Sequence, residues 1–181
     1  MAERMHASEG IEHADMAVCV EEAVAVATLR YFTPSGAFAA AVRDAAGTAL
    51  PEPLHAHETH PPGMMLAWRS PTETLCLTAD AARLAALAAQ LAGRDDGCVV
   101  ELTGGLKVVR VTGPRTVDLL RRLGGTASVP APGEARRGRM ADVPVLALSL
   151  RAAETLLVVD RALLPHVLAW IRETLEDLDA V

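Results

Sequence analysis

The sequence predicts an α+β fold with antiparallel sheets. Two observations carry the prediction. Short Val- and Leu-rich runs of strand length are punctuated by stretches of helical periodicity, and glycine-bearing turns join neighbouring strand runs at hairpin distance. The 181 residues suit one domain or two small, closely packed halves, and at 51% hydrophobic they can bury a sizeable core. Aromatics are only 3% of the chain, so that core is built from Leu, Val and Ala.

Taken in order, residues 1–16 read as a mobile, polar leader. AVCVEEAVAVATLRYF (17–32) reads as one or two strands, with Val18, Val20, Val24 and Val26 β-branched and Glu21-Glu22 marking a bend. Thr33 is the expected N-cap of a helix with Pro34 at its first position, running to Gly47. Prolines 51, 53, 61 and 62 then bar regular helix, leaving a connector or a short edge strand. Strands are expected at 64–68 and 74–77. A helix capped by Thr78 or Asp80 follows, with Leu84, Leu87 and Leu91 on its buried stripe. CVVEL and LKVVRV flank Thr-Gly-Gly, the signal of a hairpin with a tight turn at Gly104-Gly105. A helix opens at Pro114, with Val117, Leu120 and Leu123 inward, and closes at Gly124-Gly125. Residues 126–138 read as loop, and RMADV, PVLALSL and TLLVVD supply up to three strands. A last helix begins between Arg161 and Pro165, with Leu164, Leu168, Ile171, Leu175 and Leu178 on one face. The expected organisation is the leader 1–16 and one domain, 17–181, of two packed halves at about 17–95 and 96–181.

Charge and motifs exclude several functions. The net charge of −6 opposes nucleic acid as a partner, since phosphate binding needs a concentrated positive field. No apolar run approaches the ~18 residues that span a bilayer, and the polar start carries no secretory signal. Cys19, Cys76 and Cys98 are odd in number and lie in apolar runs, as buried thiols in a reducing cytoplasm do. The chain contains no GxSxG, HExxH, CxxC or Walker loop, and no catalytic, cofactor-binding or metal-binding residue is assigned. The Thr-Gly-Pro at 112–114, beside Arg115, opens a helix whose free N–H groups could hold an anion, but every helix has such an end. LHAHETHP (54–61) places His55, His57, His60 and Glu58 together. A closed zinc site needs four ligands and supporting contacts, so the stretch reads as a solvated, proline-bounded connector. The positive charge is more telling. Arg110, Arg115, Arg121, Arg122, Arg136, Arg137 and Arg139 face only Asp118 and Glu134 over that span, as a docking surface for an acidic partner would.

Several soft motifs occur in a meaningful order: GTALPEP, WRSPTETL, CVVELTGGLKVVRVTGP, PAPGEARRGRMADVPVLALSL and VVDRALLPHVLAWIRETLEDL. Across about residues 28–178 the chain resembles the gamma subunit of heterotetrameric bacterial sarcosine oxidase. It departs at Thr74, near where the family places a second Trp, and at GGTASVPAP, which replaces a Cys-Pro-x-Asp-Leu stretch. The resemblance implies ferredoxin-like α/β units and a fold similar to the folate-binding domain of the glycine-cleavage T-protein. It implies a cytoplasmic, non-catalytic structural subunit of a complex that demethylates sarcosine to glycine and passes one carbon to tetrahydrofolate. FAD, FMN, NAD, zinc and tetrahydrofolate would sit on the alpha, beta and delta partner subunits. The alternative it leaves open is a stand-alone folate-binding or folate-dependent protein.

Overall fold

The computed structural model describes residues 7–13 and 15–179, which fall into two compact units, one drawn from the described residues up to 23 and from 105 onward, the other spanning 24–104. The architecture is α+β, and every strand pairing among the described residues is antiparallel, as the sequence predicts.

The discontinuous unit holds β1 (Ala7–His13), β2 (Met16–Glu21), β8 (Leu106–Thr112), β9 (Glu134–Met140), β10 (Val143–Arg151) and β11 (Glu154–Asp160). They form one sheet in the order β1-β2-β8-β11-β10-β9. Alternation sends Val18, Val20, Val109, Val111, Val145, Ala147, Leu157 and Val159 to one face. That face is covered by α3 (Thr116–Gly124) and α4 (Leu164–Asp179), which contribute Leu119, Leu120, Leu123, Val167, Ile171 and Leu175. On α3 the inward residue is Leu119 rather than the expected Val117, which is 40% exposed.

The continuous unit holds β3 (Ala25–Tyr31), β4 (Ala56–Glu58), β5 (Met64–Ser70), β6 (Glu73–Thr78) and β7 (Gly97–Glu101), in the order β4-β5-β6-β3-β7. The helices α1 (Ala37–Ala46) and α2 (Ala81–Leu91) pack Phe38, Val42, Leu84, Leu87 and Leu91 against Leu29, Leu66 and Cys76. Fully burying each of these leucines contributes roughly 1.5–3 kcal/mol.

Several further expectations are corrected. Of the leader, residues 7–13 form β1, paired to β2 with Ile11 opposite Val18; residues 1–6 and 14 lie outside the described residues. The run 17–32 is indeed two strands, but they enter different sheets, so the division is not at 95/96. Thr-Gly-Gly is not a hairpin turn, because β7 pairs with β3 and β8 with β2 and β11; Gly104, at φ 80°, turns the chain from one unit into the other. The first helix starts after Gly36, and neither Thr33 nor Pro34 caps it. Its cap comes from a distance: the Phe38 N–H donates to Asp96 Oδ2 at 2.8 Å. Finally, the stretch 126–138 opens with a 3-10 turn at Thr126–Ser128 and is loop only to residue 133, β9 beginning at Glu134. Asp80 accepts from the Arg83 N–H and Gly47 closes α1 at φ 68°, as expected, whereas α3 begins at Thr116 after its N-cap Arg115, so Pro114 precedes that helix rather than opening it.

Candidate interaction surface

The seven arginines do not form one patch. Arg110 projects from the middle of β8, between Cys19 on β2 and Leu156 on β11. Its Nε donates to Glu21 and its Nη1 to Glu154, which lie diagonally on the two flanking strands. Glu154 also takes the Arg151 guanidinium at 2.6 Å. Burial works against the charged guanidinium of Arg110, but its hydrogen bond to Glu21 and the charges of Glu21 and Glu154 outweigh that and raise its pKa. Glu21 is 6% exposed, and its Oε2 has no hydrogen-bond partner among the described residues. This cluster is a structural clamp across three strands, already saturated with its own acids.

The others divide between α3 and β9. Arg115, at the N-cap of α3, meets Asp15 at 3.3 Å, and Arg121 meets Asp118 at 3.6 Å. Arg122 is exposed in the last turn of α3. Arg136 grips Glu134 in paired hydrogen bonds of 3.0 and 2.9 Å. Arg137 and Arg139 stand exposed two residues apart on the same face of β9, an edge strand, and Arg139 donates to the Asp142 carbonyl. Arg122, Arg137 and Arg139 are therefore the exposed cations that retain donors for a partner.

The histidines act locally. His55 Nδ1 donates to the Pro53 carbonyl at 2.9 Å and His57 Nε2 to the Ala49 carbonyl at 3.0 Å. These bonds occupy one nitrogen of each ring and leave the other with its lone pair, so it is the placement of further ligands that decides whether a metal could be held. Among the described residues no group of three or more His, Cys, Asp or Glu is placed to hold a metal ion. The expected connector contains β4, an edge strand of three residues.

Sequence reading missed a groove of about 680 Å³ in the continuous unit, lined by Tyr31, Arg43, Pro51, Pro53, Trp68 and Pro71 among others. Its advance signals were the GTALPEP and WRSPTETL stretches, which supply Ala49, Leu50, Pro51, Glu52 and Pro53 on one side and Trp68 and Pro71 on the other. Trp68 and Pro71 form wall, while Glu73 holds Arg30 at 3.0 Å and Arg69 at 3.8 Å. Tyr31 is nearly buried at the groove floor, its hydroxyl 3.1 Å from Thr74 Oγ1. Among the described residues no helix is long and apolar enough to cross a membrane.

The backbone matches a chain of the heterotetrameric sarcosine oxidase from Corynebacterium sp. U-96, solved with pyrrole 2-carboxylate, at a TM-score of 0.79 and 22% identity, covering 93% of this chain and 88% of that one. The chain has the fold of a sarcosine oxidase subunit. The same sarcosine-oxidase-type fold extends to the glycine cleavage system aminomethyltransferase T from Bartonella henselae, with a TM-score of 0.60 and 12% identity over 86% of this chain. There the match spans 46% of the longer protein. No family model matches the sequence, and no curated protein matches it.

Proposed function

We propose that this chain is a non-catalytic, gamma-type structural subunit of a sarcosine-oxidase-like complex in the cytoplasm. One observation carries the reading: nearly the whole chain matches nearly the whole of one chain from a heterotetrameric sarcosine oxidase. In this reading the complex oxidatively demethylates sarcosine to glycine and transfers the carbon unit to tetrahydrofolate. FAD, FMN, NAD, zinc and tetrahydrofolate belong to the alpha, beta and delta subunits, and this chain supplies surface. The docking cations are Arg122, Arg137 and Arg139, because Arg110, Arg115, Arg121 and Arg136 already hold acids of this chain. An edge strand bearing two exposed guanidinium groups that hold no acid of this chain among the described residues suits an acidic face on the partner.

Co-expression with the large alpha-type subunit tests this. The two should elute together from a sizing column, and Arg137→Glu with Arg139→Glu should separate them while leaving the circular dichroism spectrum unchanged. Separate elution of two folded wild-type chains would refute the proposal. Micromolar tetrahydrofolate binding by the isolated chain, read by calorimetry, would favour the folate-binding reading instead.

A further inference from the structure

The two sheets end in four edge strands, and three are protected against pairing with another chain. β4 has only three residues, β9 carries Arg136, Arg137 and Arg139, and β1 carries Glu12 with a register irregularity between Ala7 and Gly10. β7 has the least protection, its one charge being Glu101 at its last position. It reads Gly-Cys-Val-Val-Glu, with no proline, no basic residue and no bulge in its pairing to β3.

The β3–β7 ladder fixes which backbone groups are spare. The Phe32 N–H donates to the Asp96 carbonyl at 3.1 Å and the Leu102 N–H to the Val26 carbonyl at 2.7 Å. The hydrogen-bonded pairs are therefore Phe32/Asp96, Arg30/Cys98, Thr28/Val100 and Val26/Leu102. Gly97, Val99 and Glu101, between them, turn their N–H and C=O groups away from β3 along the rim. Cys98 is exposed, Val100 is 36% exposed, and both share a face with Phe32, which is 77% exposed in a chain with only two phenylalanines.

We propose that β7 pairs with β7 of a second copy of this chain, antiparallel about a two-fold axis through Val99. The strand is its own complement in that register. Val99 faces Val99 of the second copy, and Gly97 faces Glu101 in both directions, so every spare donor meets a spare acceptor. Cys98 faces Val100 at the closer, non-hydrogen-bonded spacing, apolar on apolar. Glu101 faces a glycine, so no like charges oppose. A one-residue slip sets spare groups against groups already used by β3, and a two-residue slip leaves fewer facing pairs. Two five-stranded sheets thereby join into one continuous sheet. This inference is independent of the subunit reading, whose co-elution test uses a different edge.

Light scattering coupled to size exclusion, on the full chain across a wide concentration range, tests it. The mass should rise to that of two chains. Val99→Pro should hold it at one chain with an unchanged circular dichroism spectrum, because the Val99 N–H is not used by β3. Should that variant misfold, Cys98→Lys with Val100→Lys sets lysine against lysine and should also give a monomer. The register has its own test: Val100→Cys should form a disulfide-linked dimer with native Cys98 under mild oxidation. The same substitution with Cys98→Ser should not. A wild-type chain that stays monomeric, a dimer that survives both strand variants, or association only with a different polypeptide would each overturn the proposal.

Discussion

Arg110 shows what one residue does in this fold. It is a third exposed, yet it holds Glu21, which is nearly buried, and Glu154 across three strands. Arg110→Ala leaves the nearly buried Glu21 without its cation while Glu154 keeps Arg151, so an unfolding titration should show a loss of about 2–3 kcal/mol, the low side for a buried pair because solvent reaches the guanidinium. Cys76 gives a second test. Burial pushes its thiol up to about 12, from an ordinary value near 9.0. The unfolded chain therefore loses that proton first as the solution turns alkaline, and folding stability should fall as pH rises from about 9 toward 12. Burial raises Tyr31 in the same direction, partly offset by its hydrogen bond to Thr74. Thiol labelling at neutral pH should modify Cys98 readily and reach Cys76 only after denaturation, since one is exposed and the other buried.

Elements were legible where their signals are local. Leucines at helical spacing marked α2, Asp80 marked its start and Gly47 marked the end of α1. Failures arose where a distant partner decides. Thr33-Pro34 looks like a helix start, but Asp96, 58 residues from Phe38, provides the cap. Asp96→Ala should cost about 1 kcal/mol in a urea titration, as removal of a helix cap does. Gly97 is bound into the same corner. A Cβ added there would lie 2.3 Å from the Phe38 ring, so Gly97→Ala should lower stability by about 1–3 kcal/mol through overcrowding. β9 was hidden because EARRGRM lacks the branched and aromatic residues that mark strands; its seven pairs with β10 impose the extended form. The arginines were found as a group, but their acids sit on other strands, so only pairing could separate the clamp at Arg110 from the free cations on β9.

At the scale of the whole molecule, the fold class was readable and the division of the chain was not. Hydrophobic alternation says that a run is a strand, but not which strand lies beside it. The sequence therefore suggested halves meeting near 95/96, whereas β2 belongs with β8. A chain beginning at Val24 tests the division. It lacks Met16, Val18 and Val20, each fully buried and worth roughly 1.5–3 kcal/mol, a sum that rivals the 5–15 kcal/mol of a typical domain. It should show no cooperative melting of the discontinuous unit, and adding back a peptide of residues 1–23 should restore it. The pairing of Val20 with Val109 also bears on how the protein is born. β2 leaves the ribosome with only β1 beside it, and at 5–20 residues per second the β8 segment that flanks its other side follows roughly 4–18 s later. Throughout that interval the nascent chain presents bare valines to its surroundings, so yield in the cell should depend on the chaperones that hold them.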